Sequence, residues 1–257
     1  MAAAIWSSSV NDILGFPAQT FLAFCLNHRL LQIENRPQWK TVLNGSRTYV
    51  RAMVDKVQDA RLNCPVQRVR RHAQSIEIDS AAGTESFDAV VMACHAPTSL
   101  ALIDAHDDEK EVLGGFRYQP NEAILHSDMS LLPRRQKVWS AWNYLSSPGD
   151  AGKGPVAVSY LLNKLQPLPF KTPVMVTLNP HRQPDPTKVI QKFTYEHPVM
   201  DVPAMVSQKN LGSIQGVRRT WFCGAWAGYG FHEDGLKSAL RVVRDMGITP
   251  PWSPVYD

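Results

Sequence analysis

The sequence predicts a mixed α/β (α+β) protein in which an antiparallel sheet is inserted between two parts of an α/β core. Three observations carry this. Ten of the 19 prolines fall between Pro148 and Pro203. An interior proline costs a helix about 3 kcal/mol, so long helices are excluded there and short strands with proline-rich connections fit. The run at 87–94 (Phe-Asp-Ala-Val-Val-Met-Ala-Cys) is almost continuously apolar, the pattern of a strand covered on both faces. Finally, the short apolar strand 220–223 leads through a glycine-rich loop into an amphipathic helical pattern, repeating a strand-then-helix grammar near the other end.

The elements follow in order. Residues 17–31 carry Phe21, Leu22, Phe24, Cys25 and Leu26 behind Pro17, as a buried helix would. Asn44-Gly45-Ser46 is a turn followed by a candidate N-cap, after which Tyr49, Val50, Met53, Val54 and Val57 share one helical face. Segments 65–70 and 75–79 alternate, with a turn at Ala81-Ala82-Gly83-Thr84, as a hairpin or meander. The apolar run then reaches His95-Ala96-Pro97, where a helix can begin. Apolar and β-branched runs recur at 123–125, 138–145, 156–162, 174–178 and 189–195, the spacing of an antiparallel sheet. Beyond the loop 224–233, Asp234 can cap a helix whose buried stripe is Leu236, Ala239, Leu240, Val243 and Met246 and which Gly247 ends.

Composition bounds the function. A chain of 257 residues, 44% hydrophobic and 19% charged, suits a soluble globule with one large domain or two small ones. The net charge is +4, and basic residues are scattered apart from Arg68-Val69-Arg70-Arg71 and Arg134-Arg135. Nucleic-acid readers concentrate charge and interleave aromatics, so no nucleic-acid partner is expected. Cys25, Cys64, Cys94 and Cys223 make no C-x-x-C, which excludes a disulfide scaffold and a zinc ribbon and suits a reducing cytoplasm. No apolar run approaches the ~20 residues of a transmembrane segment. The N-terminus lacks a basic n-region, and Asn11 and Asp12 interrupt its apolar start. His95, His126, His181 and His197 show no metal-ligand spacing, and no G-x-S-x-G elbow supports a hydrolase, so no metal and no catalytic residue is assigned. Trp139 and Trp142 read as core; Trp226 and Tyr229 read as readily as the substrate side of a bound cofactor.

The chemistry is best sought at 220–246. A helix N-terminus offers unpaired N–H groups and partial positive charge. Gly224, Gly228, Gly230 and Gly235 would let backbone approach a bulky planar or phosphorylated ligand. A tight connection needing glycine only for turning explains the same residues equally well.

Trp221-Phe222-Cys223-Gly224-Ala225-Trp226, followed by Gly230-Phe231-His232-Glu233-Asp234-Gly235-Leu236-Lys237-Ser238-Ala239-Leu240, resembles the C-terminal FAD motif of flavin-containing amine oxidoreductases. The bacterial branch of predicted NAD/FAD-binding, amine-oxidase-like proteins is matched further by Asn35-Arg36-Pro37-Gln38-Trp39, Gly45-Ser46-Arg47-Thr48-Tyr49-Val50, Phe87-Asp88-Ala89-Val90-Val91, Phe116-Arg117-Tyr118-Gln119-Pro120-Asn121 and Phe193-Thr194-Tyr195-Glu196-His197-Pro198. The resemblance implies FAD. Gly224 and Ala225 would lie near its ribityl-pyrophosphate, His232, Glu233, Asp234, Gly235 and Leu236 near the isoalloxazine edge, and Trp226 beside it. Pro65-Val66 would offer backbone to the adenine, and Ala93-Cys94-His95-Ala96 would pass near the dinucleotide. The family often has an acidic residue where Ala225 stands.

The family opens with a G-x-G-x-x-G turn, which this sequence lacks, and residue 1 aligns in mid-protein. The resemblance thus implies a C-terminal portion: an incomplete FAD-binding Rossmann-like domain (45–105 and 206–257) with an inserted antiparallel substrate-domain sheet (106–205) and a helical substrate region (1–44). It implies a cytoplasmic oxidoreductase passing hydride from a substrate C–H to flavin N5. The substrate would be an amine, or alternatively a long acyl or isoprenoid chain undergoing desaturation. This chain alone would bind FAD weakly or not at all. The competing expectation is a non-catalytic remnant or partner subunit, completed by a polypeptide supplying the missing βαβ unit.

Overall fold

The computed structural model describes residues 2–6, 13–35, 37–144 and 156–252, so Asn11, Asp12, Arg36 and Leu145 of the readings above lie outside the described residues. The chain forms two compact units, Met1–Ala60 with Gln119–His197 and Arg61–Tyr118 with Pro198–Asp257.

The chain begins with helices α1 (Ala2–Ile5), α2 (Ala18–Asn27) and α3 (Arg47–Val54). Helix α2 is only half-buried. Thr20, Phe24 and Cys25 face inward, with the Phe24 ring 4.8 Å from that of Trp6, whereas Leu22 and Leu26 are exposed. Helix α3 corrects the amphipathic reading, since none of its residues is buried and Tyr49, Val50, Met53, Val54 and Val57 are all exposed. Helical periodicity reports which face can be buried, not whether anything covers it. Ser46 precedes α3 without a side-chain cap; the Asn44-Gly45 turn forms, both residues having positive φ.

Strands β1 (Val66–Arg71), β2 (Ile76–Ser80) and β3 (Gly83–Phe87) make an antiparallel meander. Ser80 pairs with Gly83 across Ala81-Ala82, so the turn starts one residue earlier than expected. Strand β4 is only Val90–Met92. The run 87–94 is therefore not one buried strand: Phe87 ends β3 and is exposed, as is Val91. Helices α4 (Ala96–Leu102) and α5 (Asp107–Gly114) follow, α4 starting at Ala96-Pro97 as expected.

The middle of the chain supplies β5 (Tyr118–His126), β6 (Trp142–Tyr144), β7 (Val158–Leu161), the four-residue helix α6 (Leu162–Leu165), β8 (Met175–Leu178) and β9 (Val189–Pro198). They form a five-stranded sheet in the order β6-β7-β8-β5-β9, with antiparallel pairing from β6 to β5. The register places Asn143, Ser159, Thr177 and Ile124 side by side, and three of these four are polar yet buried. Their side chains are accordingly bonded. His126, fully buried, holds Thr177 Oγ1 at 2.7 Å through Nε2 and accepts the Asp128 amide at Nδ1 (3.1 Å), while Thr177 meets Ser159 Oγ at 2.7 Å. Burial pushes the His126 pKa down. Burial also pushes the Asp128 carboxyl up, but the amides of Asp185 and Ser130 and the Lys188 ammonium overcome it and hold its pKa at about 2. Trp139 is partly buried as expected, with its N–H on the Pro133 carbonyl (2.7 Å), whereas Trp142 is exposed and is not core.

The chain closes with α7 (Val202–Asn210), β10 (Thr220–Phe222) and α8 (His232–Asp245). Strand β10 pairs with β4 in parallel, Thr220 opposite Val90 and Phe222 opposite Met92. This joins two stretches of α/β grammar that the sequence separates. Around them Val69, Ile76, Leu113, Ile214, Phe222 and Trp226 contribute to one apolar core. Inside that unit Arg71 meets the carboxylate of Glu109 with both guanidinium NH groups, and the two side chains are 4% and 0% exposed.

Candidate functional site

Parallel strands deliver their carboxyl ends to the same edge, and the crevice outside that edge is the usual ligand position in α/β sheets. Strands β4 and β10 form such a pair, and the Cys223 amide extends it with a 3.1 Å bond to the Met92 carbonyl. The loop 224–231 leaves from this edge and enters α8. On the other side of β10, the Gln215 side chain accepts from the Phe222 amide (2.8 Å) and donates to its carbonyl (2.7 Å), acting as a short surrogate strand.

Most of the loop glycines answer to the protein itself. A Cβ on Gly224 would stand 2.4 Å from Trp226 Nε1, and one on Gly228 would stand 2.5 Å from Asp234 Oδ1 and 2.7 Å from Asp234 Cβ. Gly230 has φ 94°, a conformation that disfavours a side chain. Gly235 differs. It lies within the first turn of α8, and its added Cβ would make only ordinary contact, 3.7 Å from the Ala225 amide nitrogen. Neither backbone strain nor crowding explains a glycine there.

Two side chains that sequence reasoning missed hold the loop. Gln208 on α7 donates to the carbonyls of Trp226 (2.9 Å) and Gly228 (2.7 Å). Ser238, buried on α8, accepts from the Gly224 amide (2.9 Å) and has the carbonyls of Gly235 (2.8 Å) and Gly224 (3.1 Å) as acceptors for its proton. Periodicity marks position 238 only as helical, and nothing local marks Gln208.

Of the predicted site residues, the structure gathers Gly224, Ala225, Trp226, His232, Glu233, Asp234, Gly235 and Leu236 into one loop and helix turn. Asp234 is the third helical residue rather than the cap, and its carboxylate accepts from the Phe231 amide at 2.9 Å. Among the described residues, the amides of His232, Glu233 and Asp234 have no protein acceptor. His232, Glu233 and Leu236 are exposed, so Leu236 leaves the expected buried stripe, as does Met246; Leu240 is buried as expected, and Ser238 and Val242 are buried beside it. Trp226 is 2% exposed, edge-on to Phe116 (4.6 Å), and donates its N–H to the Cys94 carbonyl (3.0 Å). Its side chain packs in the core, one of the two readings the sequence leaves open. Val66 lies exposed at the start of β1, in a different sheet from β10, and no hydrogen bond links it to the loop. His95 stacks on Tyr118 (4.2 Å) beside α4, a structural role.

Burial, with a smaller contribution from nearby Cys94, pushes the Cys223 thiol pKa up, so this thiol is no nucleophile. No group of His, Cys, Asp and Glu among the described residues could hold a metal, and no helix among them is long and apolar enough to cross a membrane. The loop and helix turn offer backbone donors, an exposed leucine and an uncrowded glycine beside Ala225.

Neither a family model nor a curated protein matches the chain. Solved structures do. A protein assigned as a protoporphyrinogen oxidase from Exiguobacterium sp. superposes with a TM-score of 0.58 at 13% identity over 89% of this chain and 58% of its own. A CLA-producing fatty acid isomerase from P. acnes gives 0.57 at 15% over 79% and 52%. A putrescine oxidase variant redesigned in cofactor binding gives 0.50 at 10% over 79% and 53%. The chain has the mixed helix-and-strand fold these enzymes share, and it spans little more than half of their length.

Proposed function

We propose that residues 220–246 form the flavin-facing part of an FAD-dependent oxidoreductase of the amine-oxidase type, cytoplasmic in setting. The observation that carries this is Gly235. Glycine within a helix costs about 1 kcal/mol relative to alanine, and nothing inside the protein requires it here. A flat ring edge packed against that turn would. The open amides of His232, Glu233 and Asp234 suit the same edge, since two-electron reduction leaves negative charge on the pyrimidine side of the ring and a fixed helix N-terminus stabilises it without moving. Gly224 and Ala225 would lie toward the ribityl chain and Val66 toward the adenine, as the sequence resemblance implies. FAD, when bound, supplies the two-electron acceptor for hydride from a substrate C–H. The chain's own contribution is to position that ring and exclude water.

The substrate favoured is a small amine, in line with the resemblance and with the fold shared with an amine oxidase. A long acyl chain is the second reading, supported by the fatty acid isomerase among the structures of this fold. We further propose that the pyrophosphate-cradling turn is supplied by polypeptide outside these 257 residues, which contain no G-x-G-x-x-G. FAD titrated into the purified chain should bind weakly, and a polypeptide bearing that turn should restore a yellow complex. Stoichiometric, tight FAD in the chain alone overturns the divided site. No flavin in either preparation overturns the cofactor assignment.

A further inference from the structure

An open cleft of about 400 Å³ lies within residues 27–40, lined by Asn27, His28, Arg29, Pro37, Gln38, Trp39 and Lys40. It shares no residue with the loop 224–236. Its volume falls in the range of small-molecule sites. Among the described residues its lining carries two permanent cations and no acid, beside an indole that is 72% exposed.

The second observation is backbone strain. Helix α2 ends with the Leu30 amide on the Cys25 carbonyl (2.9 Å) and the Arg29 amide on that of Leu26 (3.0 Å), which puts Arg29 at the left-handed position where glycine is usual, with φ 51°. Among the described residues with positive φ that are not glycine, four are asparagines, the type that tolerates this conformation. The other two are arginines with partners. Arg218 binds Asp108 and Glu109, and Arg219 donates to the carbonyls of Ala73 and Asp88. Arg29 alone has neither excuse, because no acidic or carbonyl partner meets its guanidinium among the described residues. Strain kept in place of an available glycine points to use of the side chain.

We infer that this cleft binds a small oxyanion carrying a flat apolar ring. Arg29 would grip the oxyanion in bidentate fashion and Lys40 would neutralise it. Trp39 would stack on the ring, and Asn27 and Gln38 would supply neutral hydrogen bonds at its rim. His28 is fixed as a wall, its ring stacked on Phe24 at 4.0 Å and its Nδ1 3.0 Å from the Phe24 carbonyl.

Calorimetric titration of the purified chain with phenyl phosphate and with benzoate tests this, with phenol and benzamide as uncharged counterparts. At least one anion should bind, about tenfold or more tighter than its neutral counterpart, and the anion that binds identifies phosphate or carboxylate as the group recognised. Binding should weaken with added salt. Arg29→Gly should weaken it about tenfold or more while raising Tm, because glycine relieves the left-handed position. Lys40→Gln, at an exposed site, should weaken binding with Tm unchanged. Absence of binding by both anions, equal binding of neutral and charged ligands, or unchanged affinity in both variants overturns the site. A fall in Tm in Arg29→Gly overturns the reading of Arg29 as strained for a ligand.

Discussion

Ser238→Ala isolates the grip that helix α8 has on the start of the loop. The hydroxyl oxygen accepts the Gly224 amide at 2.9 Å, and the residue is 4% exposed, so water does not replace it readily. Alanine leaves that N–H without an acceptor at a cost of about 1–3 kcal/mol. Better helix propensity returns about 0.5 kcal/mol. The proton of the hydroxyl adds little, because it serves only one of two carbonyls at a time and Gly235 C=O lies within helical reach of other donors. The net loss is about 0.5–2.5 kcal/mol, which accelerates exchange of the Gly224 amide about 2–70-fold if that opening is local. Global unfolding would fall by about 2–4 °C in Tm per kcal/mol lost. Site-resolved hydrogen exchange with a thermal scan reads both. An unchanged exchange rate at Gly224 would show that the serine is a passenger of the helix and that the loop is held by Gln208 and packing alone.

Glu109→Gln should cost about 3–5 kcal/mol, because it leaves the buried Arg71 guanidinium without a counter-charge; denaturant midpoints check it, and a change below 1 kcal/mol, roughly the surface-pair value, would contradict the burial. Stability should also fall with acid in two windows. The His126 and Asp128 pKa values are both depressed in the folded state, so each contribution is full above the unfolded value and fades as pH drops below about 6.5 and about 3.8 respectively. Urea titrations across pH should show both declines, and His126→Gln should remove the upper one. Gly228→Ala and Gly235→Ala should diverge in Tm: the first forces Asp234 to move and costs about 1–3 kcal/mol, while the second gains up to about 1 kcal/mol and lowers flavin occupancy in the completed protein. Loss of stability with unchanged occupancy in Gly235→Ala would return that glycine to a structural role.

The sequence made the fold legible where pattern and backbone chemistry agree. Proline spacing excluded helices from the middle of the chain, and between 156 and 198 the described residues hold only the four-residue α6 as α-helix. Gly247, with φ 78°, closes α8 as expected, its amide on Arg244 and that of Ile248 on Val243. Failures came where burial depends on a distant neighbour. An apolar run such as 87–94 reads as a doubly covered strand, but the pairing that decides coverage is with β10, more than a hundred residues away, and only three residues take part. The face of α3 is apolar by period and exposed in fact, for the same reason.

The site shows the sharper division. A glycine-rich loop before a helix advertises close approach, but the sequence does not say what approaches. For Gly224 and Gly228 the visitor is a side chain of this chain, Trp226 in one case and Asp234 in the other. These glycines let the loop fold back on itself and hold the first turn of α8 in place. Gln208 and Ser238 complete that task through the loop backbone, which is why no spacing rule could find them. Once the self-serving glycines are subtracted, the proposed flavin-facing site narrows to Gly235, beside three amides that no group among the described residues accepts. A motif match weighs all its glycines alike. The structure ranks them, and the one that the protein does not need for itself is the one to mutate first.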